Sequence, residues 1–411
     1  MKILYTIGVL VYKYIILSVS PFNEKAAKFI AGRRNVFSTL KRDLDPDVKY
    51  VWVHAASLGE FEQGRPVIET IRRLHPEYKL LLTFFSPSGY EVRKNYQGAD
   101  IITYLPMDTG WNARKFIRIV KPSVAIFIKY EFWINYLSQL KKHNIPTYIV
   151  SAIFRESQTF FKWYGSWYRK LLKNYNRLFV QDQNSMDLLN SIGVRNVTIV
   201  GDTRCDRVVE IARQAKELPI IEAFKGENKI VVAGSSWQKD ENLIIPYFNR
   251  NKNFKLIIAP HQTDENHIRE IIEKLKRPYV RYTQTTEEEA RNADCLIIDC
   301  IGLLSAIYRY GEIAYIGGGF GAGIHNILEA AVYGMPVIFG PNHTKFREAV
   351  EIIDSGAGFP FNNEEELTVI LDELLNNSQT LAKTSAIAGE FVSSNCGATE
   401  QVVRAVLGFL E

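Results

Sequence analysis

The sequence predicts an α/β protein with two doubly wound domains, each built on a parallel sheet that helices cover on both faces. The 411 residues are 46% hydrophobic and 23% charged, a composition typical of a globular chain long enough for about two to three domains. Short apolar runs that do not alternate with polar residues recur between longer helix-like segments, which is typical of strands buried on both faces. The runs fall into two series, one in each half of the chain, and two series predict two doubly wound domains.

These apolar runs predict thirteen strands. In the first half they are Tyr50–Ala56, Lys79–Ser86, Ile101–Pro106, Val124–Tyr130, Thr147–Ala152, Arg177–Asp182 and Val197–Gly201. In the second half they are Lys229–Ser236, Phe254–His261, Tyr279–Gln284, Cys295–Cys300, Glu312–Gly319 and Pro336–Pro341. Because doubly wound domains bind ligands at the carboxyl ends of their strands, the residues that follow each run are the candidates for function.

The predicted organisation has five parts. We expect an N-terminal membrane-associated helical segment, a first Rossmann-like domain, an interdomain linker, a second Rossmann-like domain and a C-terminal helix, over residues 1–35, 36–205, 206–225, 226–395 and 396–411. The linker is placed where a polar helix is interrupted by Pro219. The sequence does not determine which domain the last helix packs against.

Charge is divided unequally between the two halves. Residues 1–200 contain 29 Lys and Arg against 15 Asp and Glu, a net charge of +14, whereas residues 201–411 contain 21 against 30, a net charge of −9. The asymmetry predicts an anionic partner for the first domain, although basic surface loops alone would also produce it. The apolar content excludes intrinsic disorder. Four cysteines without a CxxC pair make no disulfide framework, which favours a reducing compartment.

The N-terminal apolar segment, Ile3–Val19, is the one stretch suited to lipid. It is shorter than the ~20 apolar residues that a spanning helix needs, and Lys13 lies in its middle. A secretory signal is disfavoured because Pro21 follows the position where cleavage would occur. We therefore expect an interfacial anchor whose neighbouring cations reach anionic headgroups, namely Lys13, Lys25, Lys28, Arg33 and Arg34. The alternative is a core helix that caps the first sheet.

A second segment, residues 160–173, mixes aromatic and basic side chains. Such mixing is typical of nucleic-acid sites and also of membrane interfaces, where Trp and Tyr lie at headgroup level. With the apolar segment in the same domain, the sequence favours an anionic membrane surface as partner and no nucleic acid.

Three charged residues follow strands in the first half. Glu60, in the run His54-Ala-Ala-Ser57-Leu-Gly59-Glu60, is expected at the mouth of a cleft between the domains as a general base, or else it only complements a helix dipole. Glu131 suits sugar or hydroxyl recognition, or else it pairs with Lys129 or caps the next helix. Arg204 suits bidentate binding of a carboxylate or phosphate, or else it forms a salt bridge to Asp206.

The second half contains a glycine-rich run, Gly317–Gly323, between a predicted strand and a helix. Strand, glycine turn and helix N-terminus together predict a phosphate cradle. NAD is disfavoured because no acidic residue ends a strand about 20 positions later. Asn326 and Glu329, three apart on the helix, are predicted ribose ligands, with surface solvation as the alternative for Glu329. No zinc spacing or Walker sequence is present, so no metal is expected.

These motifs resemble the 3-deoxy-D-manno-octulosonic acid (Kdo) transferases of lipopolysaccharide (lipid A) biosynthesis, glycosyltransferase family 30 of the GT-B superfamily. The resemblance covers nearly the whole chain. It is carried by Trp52–Glu60, Tyr130–Trp133, Gly201–Asp206, Ala233–Ser236 and, most specifically, Gly317–Pro341. It implies a GT-B fold, with a first domain that binds the acceptor and a second that binds a CMP-sugar.

The resemblance also implies roles for individual residues. Glu60 would be the general base, with Glu131 and Arg204 stabilising the transition state. The CMP portion of the donor would be bound by Pro260, His261, Ile301, Gly302, Leu303, Asn326, Ile327, Leu328 and Glu329. The chain departs from the family pattern at Arg204, where Lys is usual, at Pro260, where Arg is usual, and at Ile134 and Ala330, where Pro is common.

The activity implied is transfer of Kdo from CMP-Kdo to a lipid A precursor, lipid IVA, with inversion and without a cofactor or metal. The cytoplasmic face of the inner membrane is the implied location, reached by peripheral binding or an N-terminal anchor. The alternative is another GT-B glycosyltransferase, or a sugar-nucleotide epimerase, that uses a UDP-sugar.

Overall fold

A computed structural model describes residues 2–408, and within it the chain forms two compact units. The first unit runs to Asp206 and resumes at Cys396, and the second comprises Arg207–Asn395. Met1 of the predicted N-terminal segment and residues 409–411 of the predicted C-terminal helix lie outside the described residues. The division into five parts stays a prediction. The segment 206–225, predicted as a linker, is itself largely helical.

The first unit contains a seven-stranded parallel sheet in the order β3-β2-β1-β4-β5-β6-β7. Its strands are β1 Tyr50–Ala55, β2 Lys79–Phe84, β3 Ile101–Tyr104, β4 Val124–Ile128, β5 Thr147–Ala152, β6 Arg177–Val180 and β7 Val197–Ile199. The helices that begin in this unit are α1 Lys2–Val19, α2 Glu24–Ala31, α3 Val36–Asp43, α4 Leu58–Leu74, α5 Pro87–Arg93, α6 Gly110–Val120, α7 Ile134–Lys142, α8 Ser166–Leu172, α9 Gln183–Ser191 and α10 Thr203–Gln214.

The second unit contains another seven-stranded parallel sheet, in the order β10-β11-β9-β8-β12-β13-β14. Its strands are β8 Ile230–Ser236, β9 Lys255–Pro260, β10 Tyr279–Arg281, β11 Cys295–Ile297, β12 Ile313–Ile316, β13 Val337–Phe339 and β14 Gly358–Pro360. Its helices are α11 Pro219–Lys225, α12 Gln238–Arg250, α13 Glu265–Lys274, α14 Glu287–Asn292, α15 Leu304–Ile307, α16 Leu328–Ala331, α17 Arg347–Ser355, α18 Glu364–Asn376 and α19 Ser378–Ser394.

The predicted fold class, two doubly wound parallel sheets, is confirmed. All thirteen predicted strands are present, and the prediction missed only β14 among the strands of residues 2–408. Successive residues of β1 are buried in opposite cores, because Val51 and Val53 pack on one face of the sheet and Trp52 packs on the other. Burial on both faces is the physical reason why the strands read as continuous apolar runs.

The last helix, α20 Ala398–Leu407, returns to the first unit. It packs against α4 and buries Val402, Val403 and Val406. The carboxylate of Asp206 accepts hydrogen bonds from the amides of Gly397 (2.6 Å) and Thr399 (2.7 Å), where this helix begins. An acidic side chain at a helix N-terminus satisfies amides that lack a partner within the helix.

Helix α1 lies on the surface with apolar side chains turned outward. Ile3 is 77% exposed, and Phe22 just after the helix is 91% exposed, which excludes the alternative of a buried core helix. The hydroxyl of Tyr5 fastens the helix to the fold by donating a 2.8 Å hydrogen bond to the carboxylate of Asp108. Among residues 2–408, no helix combines the length and the apolar character needed to cross a membrane.

The expectation that Arg33 reaches outward to headgroups is wrong. Its guanidinium is buried and donates hydrogen bonds to the carbonyls of Phe29 (2.9 Å), Leu105 (2.9 Å) and Phe85 (2.5 Å). It also lies 3.7 Å from the ring centroid of Phe29 and 4.8 Å from those of Phe85 and Tyr104. Burial lowers the pKa of this guanidinium to about 9. Arg33 therefore joins α2 to the loops that follow β2 and β3.

Candidate functional site

Both sheets have a point at which the strand order reverses, and the candidate residues follow the strands beside it. In the first unit β1 and β4 are neighbours although they are not consecutive in sequence, so the chain leaves them in opposite directions along the sheet. In doubly wound sheets the crevice at this point, outside the carboxyl ends of the strands, is where ligands bind. Glu60 follows β1 and Glu131 follows β4.

Glu60 lies in the first turn of α4, which begins after Ser57. The hydroxyl of Ser57 donates a hydrogen bond to the carboxylate of Glu60, and the side chain stays partly exposed. Burial raises the pKa of the Tyr130 phenol, and the carboxylates of Asp182 and Glu60 contribute to the increase. Glu60 lies just after β1, at the carboxyl edge of the sheet. An acid at this position also complements the helix dipole, so both interpretations of Glu60 fit the geometry.

Glu131 is almost buried, with 7% of its surface exposed. One carboxylate oxygen, Oε2, accepts a 2.5 Å hydrogen bond from the indole of Trp133 and lies 3.2 Å from Nε2 of His54. The backbone carbonyl of Glu131 accepts a further 2.5 Å bond from the hydroxyl of Tyr175. This carboxylate is held rigidly at the end of β4.

Helix α7 is capped by a different acid. Asp108 accepts hydrogen bonds from the amides of Asn135 and Tyr136, both at 3.0 Å. The alternative in which Glu131 caps this helix is therefore wrong. Its carboxylate lies against His54 and Trp133, and its pairing with Lys129 stays a prediction.

His54 was missed as a site residue by the sequence interpretation. Its Nδ1 lies 3.0 Å from the carbonyl oxygen and 2.8 Å from the hydroxyl of Thr83, which also accepts a 2.8 Å bond from the indole of Trp52. These contacts fix the ring so that Nε2 faces Glu131. The one available signal was a histidine inside an otherwise apolar strand.

Arg204 pairs with Asp202. Its guanidinium donates to Asp202 Oδ2 from Nε (2.9 Å) and from a terminal nitrogen (2.6 Å). Asp206, the other predicted partner of Arg204, caps α20 with its carboxylate. The neighbouring Thr203 hydroxyl donates a 2.5 Å bond to the carbonyl of Gln63, which places the start of α10 beside the helix that carries Glu60.

In the second unit the strand order reverses between β8 and β12, and the glycine-rich run follows β12. The amide of Gly317 donates a 2.9 Å hydrogen bond to the carbonyl of Gly234 at the end of β8. A Cβ added to Gly317 would lie 2.2 Å from the carbonyl oxygen of Ser235, so the close approach of the two chains requires glycine.

Asp240, at the start of α12, holds this glycine loop through a hydrogen bond from its backbone. Its Oδ2 accepts hydrogen bonds from the amides of Gly318 and Trp237, both at 2.9 Å, and its Oδ1 accepts from the hydroxyl of Tyr315 at 3.0 Å. Gly318 has φ +90°, a conformation that favours glycine. Burial raises the pKa of the Asp240 carboxyl, and the three hydrogen bonds oppose the increase.

The predicted helix-dipole cradle is wrong in its details. The glycine run does not enter a helix directly, because α16 begins only at Leu328 and is four residues long. One turn has too few aligned peptides for a substantial dipole. Any phosphate at this loop would be bound by backbone amides of the loop.

Glu329 is held by two donors and is not a solvated surface residue. The hydroxyl of Ser305 donates a hydrogen bond to Oε2 at 2.7 Å, and the side-chain amide of Asn326 donates one to Oε1 at 3.0 Å. Asn326 precedes α16 and does not lie on a helix face as expected. Through Ser305, on α15, the pair is joined to the segment 301–303 that precedes that helix.

The remaining residues predicted to bind the CMP portion of the sugar donor differ in how far their side chains are exposed to solvent. Ile301 is 89% exposed and Gly302 has φ +96°, so this segment presents backbone and one apolar side chain to solvent. The side chains of Ile327 and Leu328 are in the core, so only their backbone is available to a ligand. Pro260 ends β9.

An aromatic cluster near the glycine loop was not predicted. The ring of His261 stacks on Trp237 with centroids 4.4 Å apart and contacts His325 at 4.7 Å. Burial, with a smaller contribution from His261, lowers the pKa of the His325 imidazole. A cavity of about 430 Å³ lies here, bounded by Trp237, His325 and the glycine loop. Its volume is within the range of about 300–1,000 Å³ that is usual for small-molecule sites.

Comparisons with solved structures agree with this architecture. The chain is similar to a UDP-GlcNAc 2-epimerase from Neisseria meningitidis, with TM-score 0.62, 15% identity and coverage of 88% of this chain and 100% of that one. It is also similar to MurG from Acinetobacter baumannii, with TM-score 0.57, 15% identity and coverage of 88% of this chain and 99% of that one. These likenesses establish the fold, two Rossmann-like units of the GT-B type.

Comparisons of sequence identify the family. Residues 29–207 match the family described as 3-deoxy-D-manno-octulosonic-acid transferase (kdotransferase). A 3-deoxy-D-manno-octulosonic acid transferase from Aquifex aeolicus is 30% identical over 334 residues, which are 79% of this chain and 86% of that protein. Its counterpart from Haemophilus influenzae is 25% identical over 89% of this chain and 88% of that protein. The chain belongs to the Kdo transferase family.

Proposed function

We propose that this Kdo transferase uses CMP-Kdo as donor and a lipid A precursor, lipid IVA, as acceptor, with inversion at the anomeric carbon and Glu60 as general base. The observation that carries the proposal is the position of Glu60, a partly exposed carboxylate beside the point where the first sheet reverses its strand order. That point is where doubly wound domains bind substrates.

In the proposed reaction, the carboxylate of Glu60 removes the proton of an acceptor hydroxyl. The hydroxyl oxygen forms a bond to the anomeric carbon of Kdo while the bond from that carbon to the phosphate of CMP breaks, and CMP leaves as an anion. Glu131 and Arg204 stabilise the transition state. Arg204 is paired with Asp202, so a substrate anion would share the guanidinium with that carboxylate.

The donor would be held by the second unit. Glu329 and Asn326 would bind the ribose hydroxyls, since each carboxylate oxygen of Glu329 keeps accepting capacity beside its single donor. The base would lie against the backbone of residues 301–303, and the phosphate against the amides of the glycine loop, supported by Asp240. Pro260 and His261 would complete the site, the former through its backbone.

The proposed location is the cytoplasmic face of the inner membrane. The exposed apolar side chains of α1 and the excess of basic residues in the first 200 positions support it, because apolar burial and attraction to anionic lipid act together in interfacial binding. Trp163, 90% exposed in the basic aromatic segment, would lie at headgroup level. Cosedimentation with phosphatidylglycerol vesicles that weakens as salt is raised is the expected result, and no binding at low salt would refute the location.

A donor panel tests the proposed activity. Purified protein is incubated with tetraacylated lipid IVA and either CMP-Kdo or UDP-GlcNAc, and the released nucleotide and the glycolipid mass are measured. We expect CMP release and a mass increase of one or more Kdo residues with CMP-Kdo, and no reaction with UDP-GlcNAc. Transfer or epimerisation of the UDP-sugar without use of CMP-Kdo would overturn the proposal.

A further inference from the structure

A cavity of about 360 Å³ in the first unit lies between the two N-terminal helices and the segment that follows β2. Its wall combines apolar side chains, from Tyr12, Ile16 and Val19 of α1, Phe29 of α2, and Phe85 and Pro87, with the polar residues Asn23, Lys25 and Ser86. We propose that this cavity binds an acyl chain of the phosphorylated glycolipid acceptor. The inference rests on the proposed function and adds a lipid subsite to it.

One wall of the cavity is hydrogen-bonded directly to the segment that precedes α4 and Glu60. The amides of Phe85 and Ser86 both donate hydrogen bonds to the carbonyl of Ala56, at 3.2 Å and 2.7 Å. Ala56 immediately precedes Ser57, the residue whose hydroxyl contacts Glu60. A chain in the cavity would therefore be anchored close to the hydroxyl that reacts.

The same wall is also linked to the carboxylate of Glu131, through the ring of Trp133. The ring of Phe85 packs on that of Trp133 with centroids 4.8 Å apart, and the indole of Trp133 donates to Glu131. Arg33 fixes the wall from behind, because its guanidinium bonds the carbonyls of Phe29 and Phe85 and lies over both rings. This wall of the cavity is thus a preformed part of the fold.

The cavity offers its occupant both apolar side chains and a cation. The apolar side chains of the wall suit hydrocarbon, and the outward face of α1 next to them exposes Ile15 and Leu17, which would continue the apolar surface toward lipid. Lys25 lies at the rim and is exposed. A cation beside an apolar cavity complements a molecule that carries both phosphate and acyl chains, and the bonds from the cavity wall to the segment before Glu60 favour the acceptor over bulk lipid.

The test fills the cavity and compares two acceptors. Ala26 of α2 lines the cavity, whereas Ala27 on the same helix is exposed and does not, so Ala26→Phe and Ala27→Phe form a matched pair. Ile16→Trp and Ile15→Trp form a second pair on α1, in case the first variant fails to fold. For each protein, KM is measured in detergent for acylated lipid IVA and for the same phosphorylated disaccharide without acyl chains.

We expect Ala26→Phe and Ile16→Trp to raise KM for the acylated acceptor about tenfold, toward the KM of the deacylated one, because the excluded chain loses burial of a few methylenes. The KM for the deacylated acceptor and for CMP-Kdo should not change, and the two control variants should resemble the wild type. The inference is overturned by equal KM values of the wild type for both acceptors, or by equal effects of a filling variant on both.

Two other results distinguish an acyl-chain subsite from binding of bulk lipid and from failure of the proposed function. If Ala26→Phe weakens binding to phosphatidylglycerol vesicles but leaves KM for detergent-dispersed lipid IVA unchanged, the cavity binds bulk lipid and the inference is wrong. If the wild type transfers Kdo to neither acceptor, the proposed function itself fails. Transfer by the wild type together with no selective effect of the filling variants refutes the lipid subsite alone.

Discussion

Replacement of Glu60 by glutamine is expected to lower kcat about 10²–10⁴-fold, the usual contribution of a positioned general base. Glutamine has the same shape and its carbonyl can still accept the hydrogen bond from Ser57, so the start of α4 should be retained. The amide cannot take a proton from the acceptor hydroxyl, so KM values should change little. The measurement is steady-state turnover with purified CMP-Kdo and lipid IVA.

A matched control lies two residues further along the same helix. The carboxylate of Glu62 is partly exposed and pairs with Arg93 at 2.7 Å. Exposed ion pairs contribute about 0–1 kcal/mol, so Glu62→Gln should leave both folding and turnover almost unchanged. Near-normal turnover of Glu60→Gln would instead restrict Glu60 to complementing the helix dipole.

Replacement of Asp240 by alanine is expected to give the largest loss of stability among the site residues. It leaves three buried donors without an acceptor, the amides of Gly318 and Trp237 and the hydroxyl of Tyr315. Each such group costs about 1–3 kcal/mol, so the free energy of unfolding of the second unit should fall by about 3–5 kcal/mol. Urea denaturation at pH 7 measures this, and KM for CMP-Kdo should rise as the glycine loop loosens.

Asp240→Asn separates the hydrogen bonds from the charge. The asparagine carbonyl can accept from both amides while its NH₂ group faces the oxygen of Tyr315, which can act as an acceptor. Since the pKa of Asp240 is raised in the folded protein, this carboxyl stabilises the fold when protonated and loses that contribution as pH rises above about 4, the ordinary aspartate value. Asp240→Asn should therefore gain stability relative to the wild type as pH rises above about 4. A difference independent of pH would contradict the assignment.

The sequence patterns predicted the strands because their burial is a local property. Residues 124–128, for instance, are all apolar and all buried in the sheet. The three-residue β14 escaped prediction because it is short and ends in Pro360, which weakens the strand pattern. Glu60 and Glu329 were identified as candidates because they follow strands, the position where a doubly wound sheet binds ligands.

Contacts between distant segments were not predictable in the same way. Asp240 accepts a hydrogen bond from the amide of Gly318, 78 positions later in the sequence, and the indole of Trp237 donates one to His325, 88 positions later. No local sequence pattern around these residues predicts the contacts. Arg33 was assigned to the surface because a cation in sequence looks solvated, whereas the three carbonyls and three rings that hold it inside come from three separate segments.

The anomeric configuration of the transferred Kdo tests the proposed chemistry most directly. A hydroxyl activated by Glu60 that attacks the anomeric carbon in one displacement must give the opposite configuration to that of CMP-Kdo. NMR of the glycolipid product from the wild-type protein measures it, and we expect inversion. Retention of the donor configuration would require two displacements or attack on the same face, and it would contradict the role of Glu60 as the base of a single displacement.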